Sequence, residues 1–274
     1  MIFEEAARLL AAAGLESPRA EARLLYAHAL GTTRDETLLA SLKPTQEQAA
    51  RFAAMIARRA AREPCAYITG AKEFWSMDFQ VGPGVLVPRP ETETLIEQAL
   101  KLVAHRVVPL RIADLGTGSG ILLIAALKEF INASGVGFES SKESFHWGEQ
   151  NVARLMPGRA KIRLADWNEA EGPFDLVFSN PPYIPSAEID SLEPEVSRFE
   201  PRAALDGGSD GLGSYRALAG LLPRILKPGG HAILEIGQGQ GPAMEPLFRG
   251  SGLKLLHIAP DLAGIPRAVI LEKA

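Results

Sequence analysis

The alternation of strand-like and helix-like segments between Leu110 and the C-terminus is the feature that most constrains the fold of this chain. Short apolar runs such as LRIADLG, GVGFES and FDLVFSN are separated by longer stretches with helical periodicity. A chain of this kind buries a mostly parallel sheet between helices on both of its faces. The last two apolar runs are joined only by DLAGI, which predicts an antiparallel closing strand. The predicted fold class is therefore α/β.

The N-terminal part of the chain has a different pattern, with apolar residues at helical spacing and no strand-like segment before Tyr67. Gly14 and Gly31 end the first two predicted helices, TRDETLLAS predicts a short third one, and TQEQAARFAAMIARRAARE predicts a long amphipathic one. The segment that follows alternates polar and apolar residues around turn glycines, which predicts a β-hairpin. We therefore predict a small all-helical domain, a β-hairpin linker and an α/β domain over residues 1–64, 65–88 and 89–274.

Composition and charge exclude several classes of protein. The 274 residues carry a formal net charge of -4, so nucleic-acid binding would depend on a local basic patch. The single cysteine, Cys65, excludes an intrachain disulfide, and we expect it to be a small buried residue. The start MIFEEAARLL lacks a secretory signal pattern, and the apolar run GILLIAAL is too short to span a bilayer. We expect a cytoplasmic protein that binds no membrane and no metal.

The segment DLGTGSG, Asp114 to Gly120, follows a predicted strand and opens a predicted helix. Its spacing is G-x-G-x-G and not the G-x-G-x-x-G of dinucleotide binding, which disfavours an NAD-dependent oxidoreductase. The acid before the glycines suits a cationic or zwitterionic ligand better than a phosphate, because phosphates favour free backbone N–H groups. A tight structural turn is the alternative interpretation. The candidate binding residues are Asp114, Gly116, Thr117, Gly118, Ser119 and Gly120.

Acidic residues also follow the next two predicted strands. Glu139 ends GVGFE, where its carboxylate can accept both hydroxyls of a ribose; alternatively, it supplies charge to the start of the next helix. Asp166 and Trp167 end the following strand, where an indole can pack on adenine and a carboxylate can accept from its amino group. A surface acid beside a core tryptophan is the alternative. Open α/β sheets bind ligands at these strand ends, and together the three sites predict an adenosine-bearing ligand without phosphates. S-adenosylmethionine fits that description.

The segment SNPPYIP follows a fourth predicted strand, FDLVF, and its two prolines stop that strand from continuing. Asn180 can accept one N–H of a planar NH2 group, and the backbone carbonyl of Pro181 can accept the second. Pro182 stiffens the loop, and Tyr183 offers a flat face to a conjugated group. The segment therefore predicts recognition of an NH2 group on an sp² carbon, in adenine, cytosine, guanine or a carboxamide; a rigid turn is the alternative.

Five segments together resemble one known family: EPCAYITGAKEFWSMDFQVGPGVLVPRPETE, DLGTGSG, SNPPYI, RFEPRAALDGGSDGL and DLAGIPRAVIL. They closely resemble the HemK family of protein-(glutamine-N5) methyltransferases, which modify the glutamine of the Gly-Gly-Gln loop in peptide chain release factors. The resemblance covers Glu63 to the C-terminus. It implies a Rossmann-like class I methyltransferase sheet, S-adenosylmethionine as the methyl donor with S-adenosylhomocysteine as product, no metal, and a release factor as the protein partner. It also suggests that the helical domain docks that partner.

The resemblance implies roles for particular residues. Gly116 to Gly120, Glu139, Trp167 and Asn180 would bind S-adenosylmethionine, and Asn180 to Tyr183 would hold the glutamine amide. Arg89 and Glu93 in VPRPETE are candidates for the rim of the pocket, with a hinge or capping role as the alternative. The family often has Asp where Glu139 stands, and the segment FESSKESFHWGEQN is more polar and aromatic than the Ala-rich helix usual there.

Three other functions compete with this interpretation. An adenine-N6 methyltransferase of nucleic acid would use the same Asn-Pro-Pro-Tyr segment, but it would have to flip the base out of the helix. The net acidity and the lack of an obvious basic recognition segment disfavour it, and we expect no direct contact with nucleic acid. A methyltransferase acting on a ribosomal-protein glutamine is a second rival. A cofactor-binding factor without catalysis is the third, and the intact Asn180 disfavours it.

Overall fold

The computed structural model of the protein describes residues 3–33, 36–37 and 43–274. The chain divides into two compact units. The first comprises Met1–Ala71 together with Glu193–Phe199, and the second comprises Lys72–Leu192 and Glu200–Ala274. The sequence-based domain boundaries after residues 64 and 88 remain a prediction.

Helices and strands occur in the order that the sequence pattern indicates. The described helices are α1 (Phe3–Ala12), α2 (Pro18–Leu30), α3 (Gln46–Ala60), α4 (Cys65–Thr69), α5 (Glu93–Leu102), α6 (Ile121–Glu129), α7 (Lys142–Leu155), α8 (Pro194–Phe199), α9 (Gly213–Ile225) and α10 (Gly241–Phe248). The strands are β1 (Ala71–Phe74), β2 (Met77–Gln80), β3 (Arg111–Leu115), β4 (Ser134–Glu139), β5 (Ala160–Leu164), β6 (Phe174–Ser179), β7 (Leu226–Glu235), β8 (Leu253–Pro260) and β9 (Pro266–Lys273). The short helix predicted over TRDETLLAS lies largely outside the described residues.

The first unit is helical and encloses its own apolar core. Apolar side chains from α1, α2 and α3 meet there, among them Leu10, Leu25, Phe52 and Ile56. The core ends at a buried cluster of charges, in which Arg59 pairs with Glu21 of α2 and, at 2.7 Å, with Glu195 of α8. Arg59 is only 5% exposed, so its charge requires these carboxylates. The cluster explains why Glu193–Phe199 belongs to the helical unit although it lies far along the chain.

The second unit contains a seven-stranded sheet in the order β5-β4-β3-β6-β7-β9-β8. Strands β3 to β7 pair with one another in parallel, whereas β9 is antiparallel to both β7 and β8. Residues alternate between the two faces: Ile112 packs beneath α5 and α6, while Ala113 faces the layer formed by α9 and α10. The predicted mostly parallel sheet with an antiparallel last strand is thus confirmed.

Two local predictions are wrong. The predicted linker begins with a helix, α4, because Pro64 is suited to a helix start and Gly70 ends the helix in a left-handed conformation at φ 75°. The hairpin itself is confined to β1 and β2. The segment KPGG lies inside β7, where a register shift opposite β6 accommodates the extra residues. Strand β5 ends at Leu164, before Asp166 and Trp167.

No helix in the described part of the chain is both long enough and apolar enough to cross a membrane.

Candidate active site

The strand order places the glycine loop beside the Asn-Pro-Pro-Tyr segment. Strand β3 leads into the loop, β6 leads into Asn180, and the two strands are neighbours with Asp114 opposite Phe178. Since β3 is followed in the chain by β4 on its other side, this is the point where the strand order reverses and open α/β sheets bind ligands. A cavity of about 330 Å³ lies here. Its lining includes Asp114, Gly116, Thr117, Gly118, Ser119, Glu139, Asp166, Trp167, Asn180 and Pro182.

Close packing holds the glycine loop against its neighbours. The N–H groups of Gly116 and Thr117 both donate to the Phe138 carbonyl, at 2.9 and 3.0 Å. A Cβ on Gly148 of α7 would lie 2.8 Å from the carbonyl oxygen of Gly118, so only a glycine lets this helix approach the loop. The loop is therefore fixed between the end of β4 and α7.

Asp114 lines the cavity and has one unpaired carboxylate oxygen. Its Oδ2 accepts from the Thr117 hydroxyl at 2.6 Å and from the Leu123 N–H at 3.3 Å, whereas Oδ1 is buried and has no hydrogen-bond partner. Burial raises the pKa of this carboxyl to about 7, and the nearby charge of Glu139 also raises it. A buried acceptor without a partner is costly, so the site is suited to a ligand that brings a donor or a positive charge.

Glu139 bridges two loops at the edge of the cavity. Its Oε2 accepts from the Gly118 N–H and its Oε1 from the Ser141 N–H, both at 2.9 Å. These two bonds fix the carboxylate, yet each oxygen retains a lone pair for a further donor. Ser141 also caps α7, accepting from the Ser144 N–H at 3.3 Å. The alternative role of Glu139, charge near a helix start, is thus compatible with the binding role.

Asp166 and Trp167 lie in a short turn at the cavity. The Asp166 carboxylate accepts from the backbone and side-chain nitrogens of Asn168 at 2.8 and 2.7 Å, so one of its functions is to cap the turn. The Trp167 ring is half-buried against the sheet and lies beside Gly116. The indole therefore offers an aromatic wall next to the glycine loop.

The Asn-Pro-Pro-Tyr segment is split between the cavity and the interior. Asn180 and Pro182 line the cavity, whereas Pro181 is buried. Among the described residues none donates to Asn180 Oδ1 or to the carbonyl of Pro181. Tyr183 is not part of the lining; its hydroxyl donates to Glu235 Oε1 at 3.2 Å, and its ring packs on the core. Gly120, at φ 84°, begins α6 and also lies outside the lining.

Two residues that the sequence did not single out are linked to Asn180 by hydrogen bonds, and one of them, Thr92, also lines the cavity. Thr92 accepts from Asn180 Nδ2 at 3.4 Å and donates to Glu235 Oε2 at 2.6 Å. Glu235 is fully buried at the end of β7, and burial raises its pKa to about 7. The sequence did contain a signal for Glu235, since it is an acid at the end of the apolar run HAILE. A charge is rarely buried without a specific partner, so such an acid indicates a specific contact.

The two VPRPETE candidates have different positions. Arg89 lines the cavity and forms an ion pair with Glu200 at 2.5 Å; the other Glu200 oxygen accepts from the Val87 N–H at 3.1 Å. Glu93 is not in the lining, and its carboxylate accepts from the Trp75 N–H at 2.7 Å in the turn of the β-hairpin. Its contact is that of a turn cap, the alternative role.

The polar, aromatic segment after Glu139 packs against the loop that leads into the cavity wall. Ser144 donates to the Gly84 carbonyl at 2.8 Å, and the Trp147 indole donates to the Pro83 carbonyl at 3.2 Å. The polar and aromatic side chains of α7 thus hold residues 82–84 in place, just before the segment that lines the cavity. The described residues contain no group of three or more His, Cys, Asp or Glu side chains arranged to hold a metal.

Solved structures share this fold. A methyltransferase from Pyrococcus furiosus superposes with a TM-score of 0.51 at 20% identity, covering 81% of this chain and 98% of its own. The 16S rRNA N2 G1207 methyltransferase of Thermus thermophilus superposes with a TM-score of 0.51 at 19% identity, covering 74% of this chain and 50% of its own. The fold is that of the class I methyltransferases.

Sequence comparison identifies the family. Residues 2–70 match the PrmC N-terminal domain model, and residues 92–192 match the methyltransferase small domain model. The release factor glutamine methyltransferase of Rhodospirillum rubrum is 43% identical over 99% of this chain and 84% of its own. The enzyme of the same name from Caulobacter vibrioides is 43% identical over 94% and 90%. This chain belongs to the release factor glutamine methyltransferase family, as its sequence motifs predict.

Proposed function

We propose that this protein transfers a methyl group from S-adenosylmethionine to the side-chain amide nitrogen N5 of the glutamine in the Gly-Gly-Gln loop of peptide chain release factors. The observation that carries the proposal is the orientation of Asn180, whose Nδ2 is bonded to Thr92 while its Oδ1 remains open to a substrate NH2 group. Because the substrate is a component of translation, the proposed site of action is the cytoplasm.

The cavity fits S-adenosylmethionine by the chemistry of its side chains. The unpaired Oδ1 of Asp114 suits the ammonium group, and the bridging carboxylate of Glu139 suits the ribose hydroxyls. The Trp167 ring suits the adenine. The lining cation Arg89 is already paired with Glu200, which agrees with a ligand that carries no phosphate.

The residues of the Asn-Pro-Pro-Tyr segment bind and orient the acceptor amide. When bound, S-adenosylmethionine supplies a methyl group on a positively charged sulfur. Asn180 Oδ1 and the Pro181 carbonyl accept the two N–H bonds of the glutamine amide and hold its nitrogen in place. As that nitrogen acquires positive charge, its N–H groups become more acidic, so both hydrogen bonds strengthen in the transition state. The segment itself supplies no strong base, which suits a nitrogen that loses its proton late.

The two acceptors, Asn180 Oδ1 and the Pro181 carbonyl, form a substrate clamp that would accept more than one kind of NH2 group. Membership of the family distinguishes between those substrates. The amino group of adenine is also planar and conjugated, so it satisfies the same acceptors. The curated relatives are release factor enzymes at about 40% identity over nearly the whole chain, and the net charge of -4 is unfavourable for phosphate-backbone binding. A release factor therefore ranks above nucleic acid and above a ribosomal protein.

The raised pKa of Asp114 predicts a pH dependence of cofactor binding. Burial keeps much of this carboxyl protonated below about pH 7, and only the ionised form attracts an ammonium group. We expect the affinity for S-adenosylhomocysteine to rise on the order of tenfold between about pH 5.5 and pH 7.5. Calorimetric titration across this range checks it. Asp114→Asn should bind S-adenosylhomocysteine weakly at every pH. If its affinity changes with pH as steeply as that of the wild type, another group is responsible for the pH dependence.

The substrate assignment is tested with labelled S-adenosylmethionine. The protein is offered a release factor, the same factor with its loop glutamine changed to alanine, a ribosomal protein mixture and duplex DNA. We expect label on the intact factor alone. Label on DNA alone would mean that the same acceptors bind the amino group of adenine and that the proposed protein substrate is wrong. Label on the Gln→Ala factor would refute the loop glutamine as the methyl acceptor.

A further inference from the structure

Glu235 is a buried carboxylate directly behind the substrate clamp. Strand β7 lies beside β6, with Leu234 opposite Ser179, so the end of β7 reaches the level of Asn180. Both Glu235 oxygens are engaged: Oε2 accepts from the Thr92 hydroxyl at 2.6 Å, and Oε1 accepts from the Tyr183 hydroxyl at 3.2 Å. The side chain is fully buried, and its hydrogen bonds reach Thr92 and Tyr183 rather than the glycine loop.

The direction of these hydrogen bonds determines which end of the Asn180 amide is free. An ionised carboxylate only accepts, so the single hydroxyl proton of Thr92 points toward Glu235. Thr92 can then contact Asn180 only as an acceptor, and it receives the amide NH2 at 3.4 Å. The carbonyl oxygen of Asn180 is consequently the end that faces the cavity.

We propose that Glu235 is a positioning residue that sets the orientation of the Asn180 side-chain amide through Thr92, so that an acceptor and not a donor faces the substrate amide. The inference rests on the proposed function. With a neutral group in place of the carboxylate, the Thr92 proton is no longer committed to it and can be donated to Asn180 Oδ1. The amide then turns over, and its NH2 group opposes the NH2 group of the substrate.

The charge of Glu235 is set by the groups around it. Burial raises the pKa of this carboxyl to about 7; hydrogen bonds from Thr92 and Tyr183 and the charge of Arg267 on β9 lower it, and Glu91 raises it. The Tyr215 hydroxyl, from α9, donates to the Glu235 backbone carbonyl at 2.9 Å. The Glu235 carboxyl is therefore ionised above about pH 7, and it loses its charge as the pH falls through that value. Since Asp114 titrates in the same range, saturating cofactor is needed to separate the two groups.

The hydrogen-bonded series from Glu235 through Thr92 to Asn180 is called the relay. Four variants test it: Glu235→Gln, Thr92→Val, Thr92→Ser and the control Gln98→Met. Gln98 is buried on α5, hydrogen-bonds His257 at 3.2 Å and does not line the cavity, so its replacement removes a buried polar contact without reaching Asn180. At saturating S-adenosylmethionine, we expect kcat for the release factor to fall on the order of tenfold or more in Glu235→Gln and Thr92→Val. Thr92→Ser, which keeps the hydroxyl, and Gln98→Met should retain most of it.

Binding and pH measurements separate positioning from general damage. The dissociation constant for S-adenosylhomocysteine should change less than about threefold in all four variants, since the hydrogen bonds of Thr92 and Glu235 do not reach Asp114, Glu139 or Trp167. The acid-side fall of kcat near pH 7 in the wild type should be absent from Glu235→Gln. Wild-type kcat in Thr92→Val, or a loss in Thr92→Ser equal to that in Thr92→Val, would overturn the proposal even if Glu235→Gln fails to fold. If Asn180→Ala is inactive but Glu235→Gln has normal activity, only the proposed role of Glu235 is wrong. If Asn180→Ala is active, the proposed function of the site is itself wrong.

Discussion

Asn180→Ala is expected to lower the rate of methyl transfer to a release factor on the order of a hundredfold or more, by analogy with the removal of one donor from an oxyanion hole. The variant loses the acceptor whose hydrogen bond strengthens as the substrate nitrogen becomes positive, while the cavity walls remain. Binding of the release factor should persist, because one side chain in the clamp is a small part of a protein interface. A radiolabelled-methyl assay and a pull-down with the factor measure the two properties separately.

Asn132→Ala is the matched control for this variant. Asn132 is exposed, donates to the Val107 carbonyl at 2.7 Å and lies outside the cavity lining. Its replacement makes the same chemical change away from the clamp and should leave turnover near that of the wild type. Turnover in Asn180→Ala equal to that of Asn132→Ala would contradict the assignment of Asn180 as an acceptor for the substrate.

Glu139→Ala is expected to weaken S-adenosylmethionine binding on the order of a hundredfold. The carboxylate can supply two charge-assisted hydrogen bonds to a ribose, each contributing about 1.5 kcal/mol or more, and about 1.4 kcal/mol is a factor of ten in affinity. The substitution also leaves the N–H groups of Gly118 and Ser141 without their partner, so the loop loses part of its support. Calorimetric titration with S-adenosylhomocysteine measures the effect.

Two further variants sharpen this result. Glu139→Asp keeps the charge with a shorter side chain and should recover much of the affinity, whereas Glu149→Ala removes an exposed acid from α7, the helix that follows Glu139, and should have little effect. If Glu139→Ala retains the wild-type affinity, the carboxylate is a loop support and its assignment to the ribose is wrong.

The sequence allowed the sheet, its direction and one side of the cavity to be predicted, because strand ends are local features. Asp114, Glu139 and Asn180 each follow an apolar run, and parallel strands bring such residues to the same edge of a sheet. The positions of Gly120 and Tyr183 outside the lining depend on which way each residue faces after its strand ends. Spacing alone does not determine that direction.

The remaining features depend on contacts between distant parts of the chain. Thr92 and Glu235 meet only because β7 lies beside β6 and the turn before α5 covers both, which no local pattern reveals. The pairing of Glu195 with Arg59 likewise joins a late segment to the helical unit. Helix α4 was missed because a short apolar stretch after Pro64 is compatible with either a helix or a strand.

The most direct test of the central claim is the location of the transferred methyl group. A release factor is incubated with the protein and S-adenosylmethionine, digested, and its peptides are sequenced by tandem mass spectrometry. We predict a single methyl group on the side-chain amide of the Gly-Gly-Gln glutamine, and none when Asn180→Ala replaces the wild type. A methyl group on any other residue of the factor, or no methylation of the factor by an enzyme that binds S-adenosylhomocysteine normally, would contradict the proposed function.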